Sequence, residues 1–278
     1  MRSIKYIPPE AKSLAEAFNK NILPVGKVVS LFGQTENTTF TSRDVYNHLR
    51  TVIKSLLDVG DAEAVVDYFR KRLIENPSFY YAAQVDEVGR AANLFWIDAR
   101  SRMAYSPFGD AVPSDTTYKT NKYSMPFAPF TGTDYHHQSI TFGFALLGDE
   151  TKETFTWLFK TWLEAMGGTP PIFILTDQDQ AMTIAIATVL PRTRHRYCLW
   201  HIKKFFGEKL SHVFFKKSNF KPTVKEVTRF TYTVEDFEKQ WQSMLVEFKL
   251  TENEWLKDLY DIREKWIPVY NRSSFLPG

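Results

Sequence analysis

Two aspartates in this chain stand where carboxylates can do chemistry. Asp115 follows Ala111-Val112-Pro113-Ser114, and Asp177 follows the apolar run Ile172-Phe173-Ile174-Leu175 and Thr176. If both runs are strands of one mixed sheet, the two carboxylates can converge at one edge. Paired carboxylates there hold divalent metal such as Mg²⁺, and such sites serve phosphoryl transfer. The plainer alternative stays open, because aspartates at strand ends commonly bond local backbone amides. Asp179 reads as a charge at a helix N-terminus. Asp110, Asp134 and Asp149 read as turn or solvated residues. Cys198 and His201, spaced C-x-x-H, are half of a possible zinc site. The chain offers no second cysteine, so only His195, His136, His137 or His212 could complete it. The alternative is a free thiol beside a histidine at a helix start. His136-His137 reads as a turn or edge pair.

A second chemistry comes from charge distribution. The net charge is only +3. The segment from Arg192 to Arg229, however, holds eleven Lys/Arg against Glu208 and Glu226, a net of +9, which leaves −6 for the rest. Tyr197, Trp200, Phe205, Phe206, Phe214, Phe215 and Phe220 are interleaved with it. Arg192, Arg194, Arg196, Lys203, Lys204, Lys216 and Lys217 are the candidate DNA contacts, since Lys and Arg neutralise phosphates and release counterions. A solvated helix surface with its aromatics in the core gives the same pattern.

These groups need elements to hold them. Residues 1–40 carry Pro8-Pro9, Pro24 and Gly26 and read as an extended, mostly disordered leader. Residues 41–105 read as a helical pair followed by a strand hairpin. Thr41 or Ser42 caps the first helix and Gly60 stops it; Asp61 caps the second, with Val65, Tyr68, Phe69 and Leu73 inward. Strands are expected at 79–86 and 93–97, then a short helix through 99–102. Residues 106–210 read as the core. Ile140, Phe142, Phe144 and Leu146 alternate with smaller residues, as a sheet face does. Phe155, Leu158, Phe159, Trp162, Leu163 and Met166 form one helical stripe, stopped by Gly167-Gly168. Ile172 to Leu175 suits a central strand buried on both faces. The fifth strand is expected to end at Cys198–His201. Residues 211–278 read as helical, with stripes through Phe237, Trp241, Met244, Leu245 and Phe248, and through Trp255, Leu256, Leu259, Ile262 and Trp266. No run of about 18 apolar residues exists, so no membrane span is expected. One cysteine excludes an internal disulfide.

The residues of the core carry a resemblance. Asp115-Thr116-Thr117-Tyr118, Asn121-Lys122-Tyr123, Met125-Pro126-Phe127 and Phe142-Gly143 open it. Thr154 to Phe159, Met166-Gly167-Gly168, Thr176-Asp177-Gln178-Asp179, Thr193 to Arg196 and Cys198 to His201 continue it. Together they resemble the Mutator-like element transposase domain, nearest to the plant far-red-impaired-response family of transposase-derived transcription regulators. The resemblance spans roughly 45–266. It implies an α/β, ribonuclease-H-like fold: a mixed five-stranded sheet with flanking helices, an N-terminal helical pair and a C-terminal helical insertion.

The resemblance also implies a DDE-type metal site of two aspartates, here Asp115 and Asp177, and a later acid. That acid follows a Trp-x-Pro-x-Tyr segment, matched by Trp266, Pro268 and Tyr270, yet Asn271 to Gly278 contain no Asp or Glu. The chain therefore reads as truncated before the last core helix, with a vestigial pair. Relatives usually carry an N-terminal zinc-binding DNA-recognition domain and a C-terminal zinc finger. One cysteine provides neither, so the chain reads as a central module or a shortened member. The implied function is regulation of transcription in the nucleus through DNA and protein binding, alone or as a homo- or heterodimer. The competing expectations are an active metal-dependent transposase and a pure dimerisation scaffold.

Overall fold

The computed structural model describes residues 8–20, 59–85, 91–116 and 125–274. The expected helix from Thr41 lies outside them, up to Val59. The chain divides into two compact units, one of Met1–Leu94, Thr117–Phe127 and Leu146–Asp149, the other of Phe95–Thr116, Ala128–Ala145 and Glu150–Gly278. Its class is mixed α/β.

In the first unit, α1 spans Pro9–Lys20, where a leader was expected. Its start is legible afterwards: Pro9 occupies the first helical position, where a missing N–H costs nothing, and Ala11 and Ala15 are buried one turn apart. Helix α2 spans Val59–Glu75 and contains Gly60, which was expected to stop an earlier helix. Of its expected inward residues only Phe69 is buried; Val65, Tyr68 and Leu73 are exposed. The Phe69 ring packs against Phe79 and Tyr81 at 5.8 and 5.4 Å, so one ring secures this face. Strands β1 (Tyr80–Val85) and β2 (Ala91–Ile97) follow, and β2 runs past Leu94 into the residues of the second unit. Buried Asn93 joins Gln84 at 2.6 Å and accepts from the Gly148 amide at 2.8 Å.

In the second unit, α3 spans Ala99–Phe108 and is capped by Asp98, longer than expected. Strand β3 is Ala111–Pro113, β4 Phe127–Thr133 and β5 Ser139–Leu147. Helix α4 is Lys152–Ala165, β6 Phe173–Thr176, α5 Gln180–Val189 and β7 Arg194–Tyr197. The strands form a four-stranded sheet, β1-β2-β5-β4, and a three-stranded sheet, β3-β6-β7. A single five-stranded sheet was expected. Among the described residues, β3 and β4 meet through an antiparallel bridge, Ser114 with Phe130, and through Thr131 Oγ1, which donates to the Pro113 carbonyl at 3.3 Å. Pro113 and Pro129 each immediately precede a bridged residue and carry no N–H, so a longer ladder loses donors on both sides.

Strand β5 departs from simple alternation. Phe142 is buried, but beyond it Ala145 and Leu147 are buried while Phe144 and Leu146 are only half-buried. The change falls at Gly143, whose φ is +124 and whose hypothetical Cβ would meet the Phe95 ring at 2.7 Å. Glycine alone takes that backbone cheaply. The α4 stripe is as expected: Phe155, Leu158, Phe159 and Trp162 are fully buried, and Gly167 and Gly168 end the helix at positive φ. Trp162 stacks on Phe130 at 4.9 Å and donates Nε1–H to the Phe142 carbonyl at 3.0 Å.

Beyond β7 the chain is helical: α6 Leu199–Lys209, α7 Ser211–Phe214, α8 Phe220–Arg229, α9 Val234–Glu247 and α10 Glu254–Asp261. Short 3₁₀ turns at Arg263–Lys265 and Pro268–Ser274 follow, so the last expected helix stops before Trp266. The two expected stripes join one core containing Phe206, Phe220, Phe237, Trp241, Leu256, Leu259 and Trp266. Glu238 accepts from Arg263 Nε at 2.8 Å and from the Tyr260 and Tyr270 hydroxyls. Burial alone would raise its pKa, but these donors hold it below the usual range. No helix among the described residues is long and apolar enough to cross a membrane.

Two outcomes are expected. Phe159→Ala empties a ring-sized space against Phe130 and should cost about 3–5 kcal/mol in chemical denaturation; a loss under about 1 kcal/mol would mean that this face of α4 is not packed. Glu238→Gln keeps the shape but removes the charge that three donors share, and should cost about 1–3 kcal/mol. A variant as stable as the parent would show that the Trp266–Tyr270 segment is held by packing alone.

Candidate functional site

The site follows from the three-stranded sheet. Strands β3 and β6 are parallel with Pro113 opposite Leu175, and β6 and β7 are parallel with Thr176 opposite Tyr197. All three carboxyl ends therefore point one way. Asp115 lies two residues past Pro113, and Asp177 two past Leu175, so the pair comes to the same edge. Strands in one sheet lie about 4.8 Å apart. A ligand site at the carboxyl edge of parallel strands is the usual arrangement in open α/β sheets.

The third member comes from β7. That strand ends at Tyr197, not at His201 as expected. The Cys198 amide donates to the Thr176 carbonyl at 2.6 Å, and Cys198 then caps α6. This puts His201 in the first turn of α6, with Nε2 3.2 Å from Asp115 Oδ2. Burial raises the pKa of Asp115; His201 opposes the rise and the charge of Asp177 adds to it. Burial also raises Asp177, against the Asp179 amide, which donates to Asp177 Oδ1 at 3.1 Å. Two buried polar atoms at this edge, Ser114 Oγ and His201 Nδ1, have no partner among the described residues. Such orphans are uncommon in native proteins and usually mark a site or an absent partner.

The other candidates separate. Asp179 caps α5, accepting from the Met182 amide at 2.7 Å, so its helix-start reading holds. Asp134 closes the turn at residues 134–138, accepting from the His136 and Gln138 amides at 2.8 Å each; the histidine pair is a turn, as read. His195 Nε2 is 2.7 Å from Thr176 Oγ1, and burial, helped by Lys265, pushes its pKa down to about 4. Thr176 Oγ1 also donates to the Asp177 carbonyl. Cys198 is a half-buried free thiol. Among the described residues, no group of three or more His, Cys, Asp or Glu is set to hold a metal ion.

Of the basic candidates, Arg192, Arg194, Lys204, Lys216 and Lys217 are exposed. Arg196 and Lys203 are half-buried; burial lowers both, and for Lys203 nearby Arg229 and Lys225 help bring it to about 8. Sequence reasoning treated His201 as half of a zinc site and missed its contact with Asp115. Only the C-x-x-H spacing after β7 hinted that it would reach the carboxyl edge.

The model of the MULE transposase domain matches residues 111–205, a stretch that contains Asp115, Asp177, Cys198 and His201. Protein FAR1-RELATED SEQUENCE 5 of Arabidopsis thaliana is 39% identical over 279 residues, covering 99% of this chain and 35% of the relative. Protein FAR-RED IMPAIRED RESPONSE 1 of Arabidopsis thaliana is 41% identical over 222 residues, 80% of this chain and 27% of the relative. Protein FAR1-RELATED SEQUENCE 7 of the same plant is 38% identical over 235 residues, 84% of this chain and 30% of the relative. The chain spans about a third of the length of these curated relatives. By the domain model and the relatives it matches, it belongs to the MULE transposase domain family, beside the FAR1-related sequence proteins.

Proposed function

We propose that this chain is a transposase-derived module that binds DNA in the nucleus and acts on transcription, with a DDE-type site that does not cut. The observation that carries this reading is the state of the carboxyl edge. Asp115 and Asp177 follow adjacent parallel strands to one edge, yet Asp115 is engaged by His201, and no third carboxylate of the described residues joins them. A two-metal clamp needs carboxylates enough to bridge and hold both ions. Asp115 and Asp177 fit one Mg²⁺, which would draw water for its remaining positions and polarise a phosphoryl oxygen. The matching α/β order supports a ribonuclease-H-like reading: through the Ser114–Phe130 bridge the strands run β5-β4-β3-β6-β7. The family resemblance supports the nucleus, transcription and dimerisation with related proteins. A zinc ion at Cys198 and His201 would need ligands from elsewhere, and His195 is turned to Thr176.

DNA contact would come from the exposed cations of residues 192–229. Binding of a fluorescent duplex should fall steeply with salt, with a log–log slope of about −0.9 per phosphate contact. Lys204→Glu, Lys216→Glu and Lys217→Glu combined should abolish it while the melting temperature holds. Undiminished binding would remove this face from the reading; absence of binding in the parent would favour a scaffold. The same duplex with Mg²⁺ or Mn²⁺ should be neither nicked nor joined. Cleavage lost in both Asp115→Asn and Asp177→Asn would establish the transposase alternative.

The raised carboxyl of Asp177 makes a further outcome definite. A carboxyl whose pKa is raised on folding binds its proton more tightly in the native state, so its ionisation destabilises the fold as pH rises past the unfolded value. Asp177→Asn keeps the acceptor for the Asp179 amide and removes the charge. It should melt above the parent at pH 7 and level with it below about pH 4, the ordinary carboxylate range. A variant that melts below the parent at pH 7 would mean that the charge is compensated, for instance by a bound cation.

A further inference from the structure

Helix α8 carries a face that the carboxylate site does not use. Its inner side, Phe220, Val224, Val227 and Thr228, is buried. Lys221, Lys225 and Arg229 stand on its outer side at four-residue spacing, which places successive cations about 6 Å apart along the axis. Lys203 of α6 is close enough to Lys225 and Arg229 for their charges to act on it. No carboxylate among the described residues forms an ion pair with any of these four; Glu226 is the helix's one acid and lies a further 60° round.

Exposed rings flank the stripe. Phe215 is 69% exposed, Phe230 53% and Tyr232 74%. Lys221 Nζ sits 4.6 Å from the ring centre of half-buried Phe214 and 5.0 Å from that of Phe215, and Lys225 Nζ 5.9 Å from that of Phe230; Phe215 precedes the helix and Phe230 caps its end, so an exposed ring stands at each end of the cation stripe. Large exposed rings beside exposed cations mark an interaction surface more often than a fold requirement. Cations that track phosphates beside rings that stack on bases are how proteins hold single-stranded nucleic acid. A duplex keeps its base faces inside the stack and offers such rings nothing.

We propose that the outer face of α8 binds single-stranded DNA, its phosphates along Lys221, Lys225 and Arg229 and its bases on Phe215 and Phe230. This rests on the reading of residues 192–229 as DNA-facing, and it adds the form of DNA that is taken.

The test is fluorescence anisotropy of the 278-residue chain with three probes: labelled oligothymidine of about 16 nucleotides, a duplex of equal length, and phosphatidylserine vesicles. The parent should bind oligothymidine. Phe215→Ala with Phe230→Ala should weaken that binding by about ten-fold or more and leave duplex binding within about two-fold, because only unpaired bases stack. Lys221→Gln with Lys225→Gln should weaken both DNAs. Both pairs are exposed, and circular dichroism and melting should match the parent. Duplex binding without oligothymidine binding would overturn the inference and leave the DNA reading standing; binding to neither would remove both. Equal loss on both DNAs in the ring variant would overturn base stacking. Vesicle binding in place of oligothymidine binding would assign the face to a lipid surface.

Discussion

The parallel pairing of β3 with β6 is the constraint on which the rest depends. With Pro113 opposite Leu175, the residues two steps on, Asp115 and Asp177, have nowhere to go but the same edge. A shift of one residue would turn a strand's side chains to the opposite face. Strand β6 is held from its other side by β7, and the same pairing fixes where α6 starts and so where His201 reaches Asp115. The aromatic packing of Phe130, Phe142, Tyr105 and Trp162 backs this arrangement from within the same unit.

Burial raises the pKa of both carboxyls, and beside them the Ser114 hydroxyl and His201 Nδ1 have no partner among the described residues. Perturbed groups of this kind cluster where proteins act. The Asp115–His201 contact nonetheless takes up an oxygen that a working metal clamp would need. That tension is what a transposase-derived domain retaining its frame but turned to binding would display.

Legibility in the sequence followed the strength of the local signal. The α4 stripe with its double-glycine stop and the stripe of α9 were readable, because periodicity and stop residues agreed there; the β6 run was readable as a strand, but Ile172 lies exposed before it and Leu175 is only half-buried. The fate of β5 was not, since one glycine at positive φ moved its buried face. The sheet divided where Pro113 and Pro129 remove donors, which a count of strands does not register. Helix α1 hid behind Pro8-Pro9, read as loop although Pro9 starts a helix. At the site, the aspartate pair was legible from strand ends and resemblance together. The His201–Asp115 contact was not, because it depends on where β7 stops.

The most direct measurement of the central account is the stoichiometry of Mn²⁺ binding, followed by electron paramagnetic resonance in the parent and in Asp177→Asn. A carboxylate pair with one oxygen engaged and no third acid predicts a single ion, bound weakly and lost in the variant. Two ions bound tightly by one chain would contradict it, since that is the complement of a working two-metal clamp.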